Sequence, residues 1–220
     1  MPAAGAASVR EQPVDPCERA ALGAVPRHVT DVVDHLNSLP KPVSLPCLVT
    51  SLPRPLALHA TRSVLSAQPA VGLRSPRVFV LYDELILSVA LDGMGKDLLE
   101  FGERRPEARS LKAEIEFPVA AELTHASPFE RIVFKDEQTS CAFCHAAESR
   151  DESIDFTTAF DSVAYRPTER QSHVTVAEMA AELARCDRDV EPQRCEMLES
   201  LFARGMPIEQ AFPMEFTTFQ

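Results

Sequence analysis

From Leu45 to Lys135 the apolar residues come in short runs separated by turn signals, the texture of strands. The runs are Leu45–Ser51, Leu56–Thr61, Arg77–Tyr82, Leu85–Leu91, Leu98–Phe101, Ser110–Val119 and Arg131–Lys135. Val78-Phe79-Val80-Leu81 and Leu85-Ile86-Leu87 do not alternate, which predicts strands covered on both faces. Lys112 to Phe117 does alternate, which predicts one wet face. Asp83-Glu84, between two of the runs, reads as a hairpin turn. Pro53-Arg54-Pro55 and Asp92-Gly93-Met94-Gly95 mark further turns. Strands this closely spaced, with no helices between them, predict an antiparallel sandwich or a curled sheet. Ile154–Phe160 and Ser162–Tyr165 continue the pattern as two further short extended pieces.

The two ends carry a different period. Residues 1–27 are small, polar and broken by prolines, as expected of an arm. His28–Leu39 places Val29, Val32, Val33 and Leu36 on one helical face, and Pro40 and Pro42 stop it. Near the C-terminus, Thr175 followed by Glu178 has the spacing of a capping box. Val176, Met179, Ala180 and Leu183 then share a face. A second helix begins near Pro192, turns Cys195, Leu198, Leu201 and Phe202 inward, and stops near Gly205. The predicted fold is α+β: a mainly antiparallel, sandwich-like β domain over residues 41–168. An arm and short helix (1–40) precede it and a helical hairpin (169–220) follows it.

Composition narrows the function classes. An apolar fraction of 45% in 220 residues is ample for a core, and twelve Phe with no Trp supply the large packing groups. The net charge is −11, and residues 141–220 hold fifteen acids against seven bases, so −8 of it lies there. No basic stripe could neutralise a phosphate backbone, which argues against a nucleic-acid partner. The acidic surface serves solubility or docks a basic redox partner protein. No stretch approaches the roughly 20 apolar residues of a transmembrane segment.

Cys141-Ala142-Phe143-Cys144-His145 carries the chemistry. C-x-x-C-H is the pattern of covalent haem attachment. Each thiol adds to one porphyrin vinyl group, and two intervening residues set the sulfurs about a vinyl-to-vinyl distance apart. The next residue, His145, then offers its imidazole to the iron. Four cysteines remain: Cys17, Cys47, Cys186 and Cys195. An even remainder suits two disulfides in an oxidising compartment. Cys186 and Cys195 lie across the turn between the last two helices, so they are predicted to pair, and Cys17 then pairs with Cys47. The expected location is periplasmic or otherwise extracytoplasmic in a bacterium, because ligation to this motif occurs outside the cytoplasm. A leader segment is not visible in the chain, so it is expected to have been removed.

Through Cys141, Cys144 and His145 the chain resembles c-type cytochromes. The motif sits two-thirds along, after a β-rich region, a layout similar to the cytochrome P-460 and cytochrome c′-β group. The tail Asp155-Phe156-Thr157-Thr158-Ala159-Phe160 has a similar flavour. The resemblance implies covalent haem c, with Cys141 and Cys144 as anchors and His145 as proximal iron ligand. The implied role is single-electron transfer with a redox partner protein. Met94, His59 and His173 are candidates for the sixth ligand, and a vacant distal site is at least as well supported. A vacant site would suit a five-coordinate haem enzyme or gas sensor. A haem-free secreted β module with disulfides is the reading without cofactor.

Other chemistries fit less well. Structural zinc wants four ligands, and no second C-x-x-C or H-x-x-x-H is present. A thioredoxin-like pair lacks a βαβ context and leaves His145 unexplained. No Met closely follows His145, as a cupredoxin copper site requires. G-x-S-x-G, H-E-x-x-H, a P-loop and a Gly-rich dinucleotide fingerprint are all absent, so no catalytic residue is assigned.

Overall fold

The computed structural model describes residues 15–62, 68–135, 138–167 and 172–218. The first fourteen residues of the expected arm, and the expected boundary at 168–169, lie outside the described residues.

Helix α1 (Pro16–Arg19) opens the described chain, its first turn capped by the Asp15 carboxylate, which accepts from the Cys17 amide at 2.7 Å. The arm is tied down here, because Cys17 is bonded to Cys47. Helix α2 (Val29–Ser38) follows the predicted apolar stripe: Val29, Val32, Val33 and Leu36 are fully buried. Helix α3 (Leu45–Ser51) replaces an expected strand. Seven residues without alternation fit either element. The decisive signal was Ser44, whose hydroxyl accepts from the Cys47 amide at 3.2 Å, with a proline in the first helical turn.

The sheet strands are β1 (Ala57–Thr61), β2 (Arg77–Leu81), β3 (Leu85–Ala90), β4 (Leu98–Arg105) and β5 (Arg109–Glu116). They form an antiparallel meander, each pairing with the next. Short helix α4 (Ser127–Glu130) leads to the small hairpin β6 (Val133–Lys135) and β7 (Gln138–Thr139). Strands β8 (Ser149–Arg150) and β9 (Phe160–Val163) extend the sheet beyond β5. The expected extended piece at 154–160 is mostly turn, and the strand begins at Phe160. Strand β10 (Tyr165–Arg166) leaves the sheet to pair with the C-terminal β13 (Thr217–Thr218). At the opposite edge, β11 (His173–Val174) and β12 (Ile208–Glu209) share the free side of β1. Among the described residues the main sheet thus holds nine strands. The protein is a mixed α+β fold around a largely antiparallel sheet.

Strand alternation sorts the side chains onto two faces. Leu58, Val80, Leu87, Phe101 and Ala113 point to one face and join α2, α3, α5 (Val176–Ala184) and α6 (Pro192–Phe202) in a single apolar core. The second layer on this face is helical. The C-terminal hairpin therefore shares the core of the β domain. Its predicted capping box is present, with the Thr175 hydroxyl accepting from the Glu178 amide at 3.1 Å, and so is its predicted disulfide, Cys186–Cys195. Glu103 ties the helix layer to the sheet by accepting from the Val29 amide at 2.9 Å at the α2 N-terminus.

The other face carries Arg77, Phe79, Ile86, Ser88, Glu100, Ser110 and Lys112. Part of it is closed by a small aromatic cluster in which Phe212 and Phe216, from the C-terminal tail, meet Phe79 and Ile86. The remainder is the floor of a cavity.

Candidate haem site

The segment that roofs this cavity is set by local hydrogen bonds. Thr139 caps a 3-10 turn at Ser140–Phe143, its hydroxyl accepting from the Cys141 amide at 3.1 Å. The Thr139 hydroxyl donates in turn to Glu148 at 2.5 Å. The Ser140 amide donates to the Ile132 carbonyl at 2.8 Å, which pins the turn to the β6–β7 hairpin. The Cys144 and His145 amides both donate to the Cys141 carbonyl, at 3.1 and 2.9 Å. The turn is thus tight enough to present Cys141, Cys144 and His145 to one cavity of about 230 Å³. Phe79, Ile132 and Phe212 are among its apolar walls, and Arg77, Glu100 and Lys112 are among the charged residues of its floor.

His145 is oriented from behind. Its Nδ1 lies 2.8 Å from the Val163 carbonyl, which can only accept, so Nδ1 carries the proton. In the neutral ring the lone pair is then on Nε2. Tyr165 covers one side of the ring, with centroids 5.3 Å apart. Burial, followed by the nearby Lys112 charge, holds the imidazole pKa down to about 3, so it stays neutral. A neutral imidazole with Nδ1 bonded to a backbone carbonyl is the form that ligates a metal through Nε2.

Cys141 and Cys144 are both free thiols, whereas the other four cysteines are bonded in the predicted pairs. Burial pushes the Cys141 thiol up to about 11. A thiol held protonated is a poor nucleophile, which weighs against a thioredoxin-like redox pair. Zinc is disfavoured by distance. Among the described residues, the sulfur and nitrogen atoms of Cys141, Cys144 and His145 do not converge within 4.8 Å. The group that does converge, Cys186, Glu191 and Cys195, contains the disulfide, whose sulfurs are already bonded.

Three donors that face one cavity without converging within 4.8 Å do not suit a tetrahedral ion. The residues present therefore fit covalent haem: two free thiols, a pre-oriented imidazole, and an aromatic and aliphatic lining.

The three residues considered for a sixth ligand are placed elsewhere. Met94 is 76% exposed in a surface turn. His59 is buried on the cavity side of β1, but its ring packs against His173 at 5.0 Å and edge-on to Phe212 at 5.6 Å. His173 Nε2 is 2.9 Å from Glu209. None of the three lines the cavity wall.

Sequence reasoning did not single out Lys112, Arg77, Glu100 or Tyr165. The alternation at 112–117 predicted a wet face, yet Lys112 is 8% exposed, because the motif segment roofs it. The strand period identified the face but could not show what covers it. Compared with protein-family models, with curated proteins and with solved structures, the chain matches none.

Proposed function

We propose that the protein is an extracytoplasmic monohaem c-type protein, anchored through Cys141 and Cys144 and ligated by His145 Nε2. The observation that carries this reading is the Nδ1 bond from His145 to the Val163 carbonyl at 2.8 Å, made in a cavity that both free thiols also line. Bound there, haem iron would supply one-electron chemistry. The chain's own residues hold the porphyrin by two sulfurs, fix the imidazole tautomer through Val163 and shield its ring with Tyr165. Two disulfides agree with an oxidising compartment, and no helix among the described residues is long and apolar enough to cross a membrane. Phe143, between the two thiols, is 73% exposed and pairs with Phe134 at 5.2 Å. This apolar spot beside the motif is where a redox partner would dock for single-electron transfer.

One observation favours an iron open to an external ligand over a six-coordinate carrier. Apart from His145, no histidine or methionine lines the cavity among the described residues. Carbon monoxide added to the reduced protein separates the two roles, since a Soret shift marks an open position and a resistant spectrum marks a carrier. The cofactor itself is tested with protein exported alongside a haem-ligation system. A pyridine haemochrome with a c-type α-band is expected, and it should vanish in the Cys141→Ser, Cys144→Ser double variant. A colourless exported protein with the mass of its polypeptide overturns the proposal.

A further inference from the structure

Lys112 is a buried cation that makes no ion pair among the described residues. It is 8% exposed and lines the cavity floor. Its ammonium donates to the Ser110 hydroxyl at 2.6 Å, and among the described residues no carboxylate comes within ion-pair distance of it. The neighbouring charges are arranged differently. Arg77 pairs with Glu100 and also donates to the Ser88 hydroxyl at 2.6 Å. Glu114 pairs with Arg131 at 2.9 Å. Burying an ammonium without a partner is unfavourable, and it persists where something else supplies the charge.

The floor beside Lys112 is also hollow. Its cross-strand partner on β4 is Gly102. This glycine does not have the positive φ that only glycine adopts readily, so the strand does not require it. A Cβ there would meet nothing closer than 3.9 Å, at Ile86 and Ser110, so packing does not require it either. What the glycine provides is space, next to the ammonium and to the Ser110 hydroxyl. That hydroxyl accepts from Lys112 and keeps its own proton to donate.

We propose that the cavity binds a small monovalent anion in the hollow at Gly102, held by the Lys112 ammonium and the Ser110 hydroxyl. Small size follows from the limited room that the glycine leaves beside the cavity, and single charge from one cavity ammonium that makes no ion pair among the described residues. Resting on the haem reading above, this anion is the external ligand of the iron's open position. The same ammonium could instead pair with a carboxylate of the porphyrin itself, so the test distinguishes the two sources.

The probe is azide, with neutral imidazole as the control ligand. Exported, haem-loaded ferric protein is titrated with each while the Soret band is followed. Azide is expected to bind at least tenfold more weakly to Lys112→Met, with part of the affinity restored in Lys112→Arg. Imidazole is expected to change less than about threefold. Gly102→Ala is expected to weaken azide without lowering the melting temperature, because the added methyl fills the hollow of a strand it does not strain. Unchanged azide affinity in Lys112→Met overturns the proposal and points to a porphyrin carboxylate as the partner. Equal losses for azide and imidazole overturn it too, since they report general damage to the site. A gain in azide affinity overturns it by showing that the lysine amine itself occupied the iron. If the haemochrome assay finds no haem, the haem reading fails on its own and the anion site is tested in the polypeptide. Azide should then raise the melting temperature of the wild type and not of Lys112→Met, and no rise in the wild type overturns the proposal.

Discussion

The two faces of the sheet are cut from the same strands and do opposite things. On one face Leu58, Val80, Leu87 and Phe101 meet four helices and leave almost nothing exposed. On the other, one residue along in each strand, Phe79, Ser88, Glu100 and Lys112 leave a cavity with buried charge. Close packing of apolar groups is where folding free energy comes from. A hollow lined by an ammonium that makes no ion pair among the described residues works against it. Stability and chemistry are thus separated by the thickness of a β-sheet, and substitutions on adjacent residues should have unlike consequences.

Leu87→Ala should show the largest effect. Leu87 is 1% exposed and inside the main core, so its loss leaves a void that rigid neighbours cannot fill. About 2–5 kcal/mol of unfolding free energy should disappear. Ile86, the next residue, lines a cavity that already exists. Ile86→Ala enlarges that space instead of opening a new one and should lose about half as much. Urea denaturation of the pair measures the difference, and equal losses would mean that the cavity face is packed as tightly as the core. The helix layer has its own brace. Replacing both Cys186 and Cys195 by Ser opens a loop with a sequence separation of 9 and should remove about 2–3 kcal/mol, again read by urea.

The helix-side face was the more legible one. Apolar alternation and apolar runs found β1 to β5, and the periodic stripe found α2, α5 and α6. Both disulfides followed from counting cysteines and from a helical hairpin that brings Cys186 to Cys195. These are local signals. The run Leu45–Ser51 is a helix, because seven apolar and small residues do not specify a period and Ser44 caps their first turn. The cavity was legible only at its motif. Its roof comes from residues 140–145 and 165–167, and its far wall from Phe212 and Phe216. These reach the floor only through sheet pairing between distant strands. No local pattern could show that Lys112, in an alternating strand, is under cover.

The charges of the cavity face should appear as a pH dependence that the core face lacks. Burial holds Lys112 down to about 8 from an ordinary 10.5. Above 10.5 both folded and unfolded chains have lost the proton and nothing is owed. As pH falls toward 8 the unfolded chain binds it more readily, so stability declines, and below 8 the loss is constant at about 3 kcal/mol. In the haem-free chain Lys112→Met should therefore gain about 1–3 kcal/mol at pH 7, with the gain vanishing above pH 10.5. His145 acts lower on the scale. Its folded pKa of about 3 against an ordinary 6.5 means that stability should fall as pH drops through that window. His145→Leu should flatten this acid limb. Chemical denaturation across pH checks both, and a Lys112→Met gain that persists at pH 11 would show that the charge is not its source.

The smallest expected effect falls on the hollow itself. Gly102 sits in the interior of β4, where glycine leaves the unfolded chain more freedom than any other residue and so weakens the strand. The Cβ of an alanine would find ordinary contacts at 3.9 Å from Ile86 and Ser110. With no strain to oppose it, Gly102→Ala should raise unfolding free energy by about 0.5–1 kcal/mol, a change of sign relative to Leu87→Ala on the other face. Thermal and urea melts of the haem-free chain resolve a shift of this size. A loss of stability instead would mean that the hollow is filled by neighbours in solution. The contrast between the faces would then be one of charge alone, since the room for a ligand would be gone.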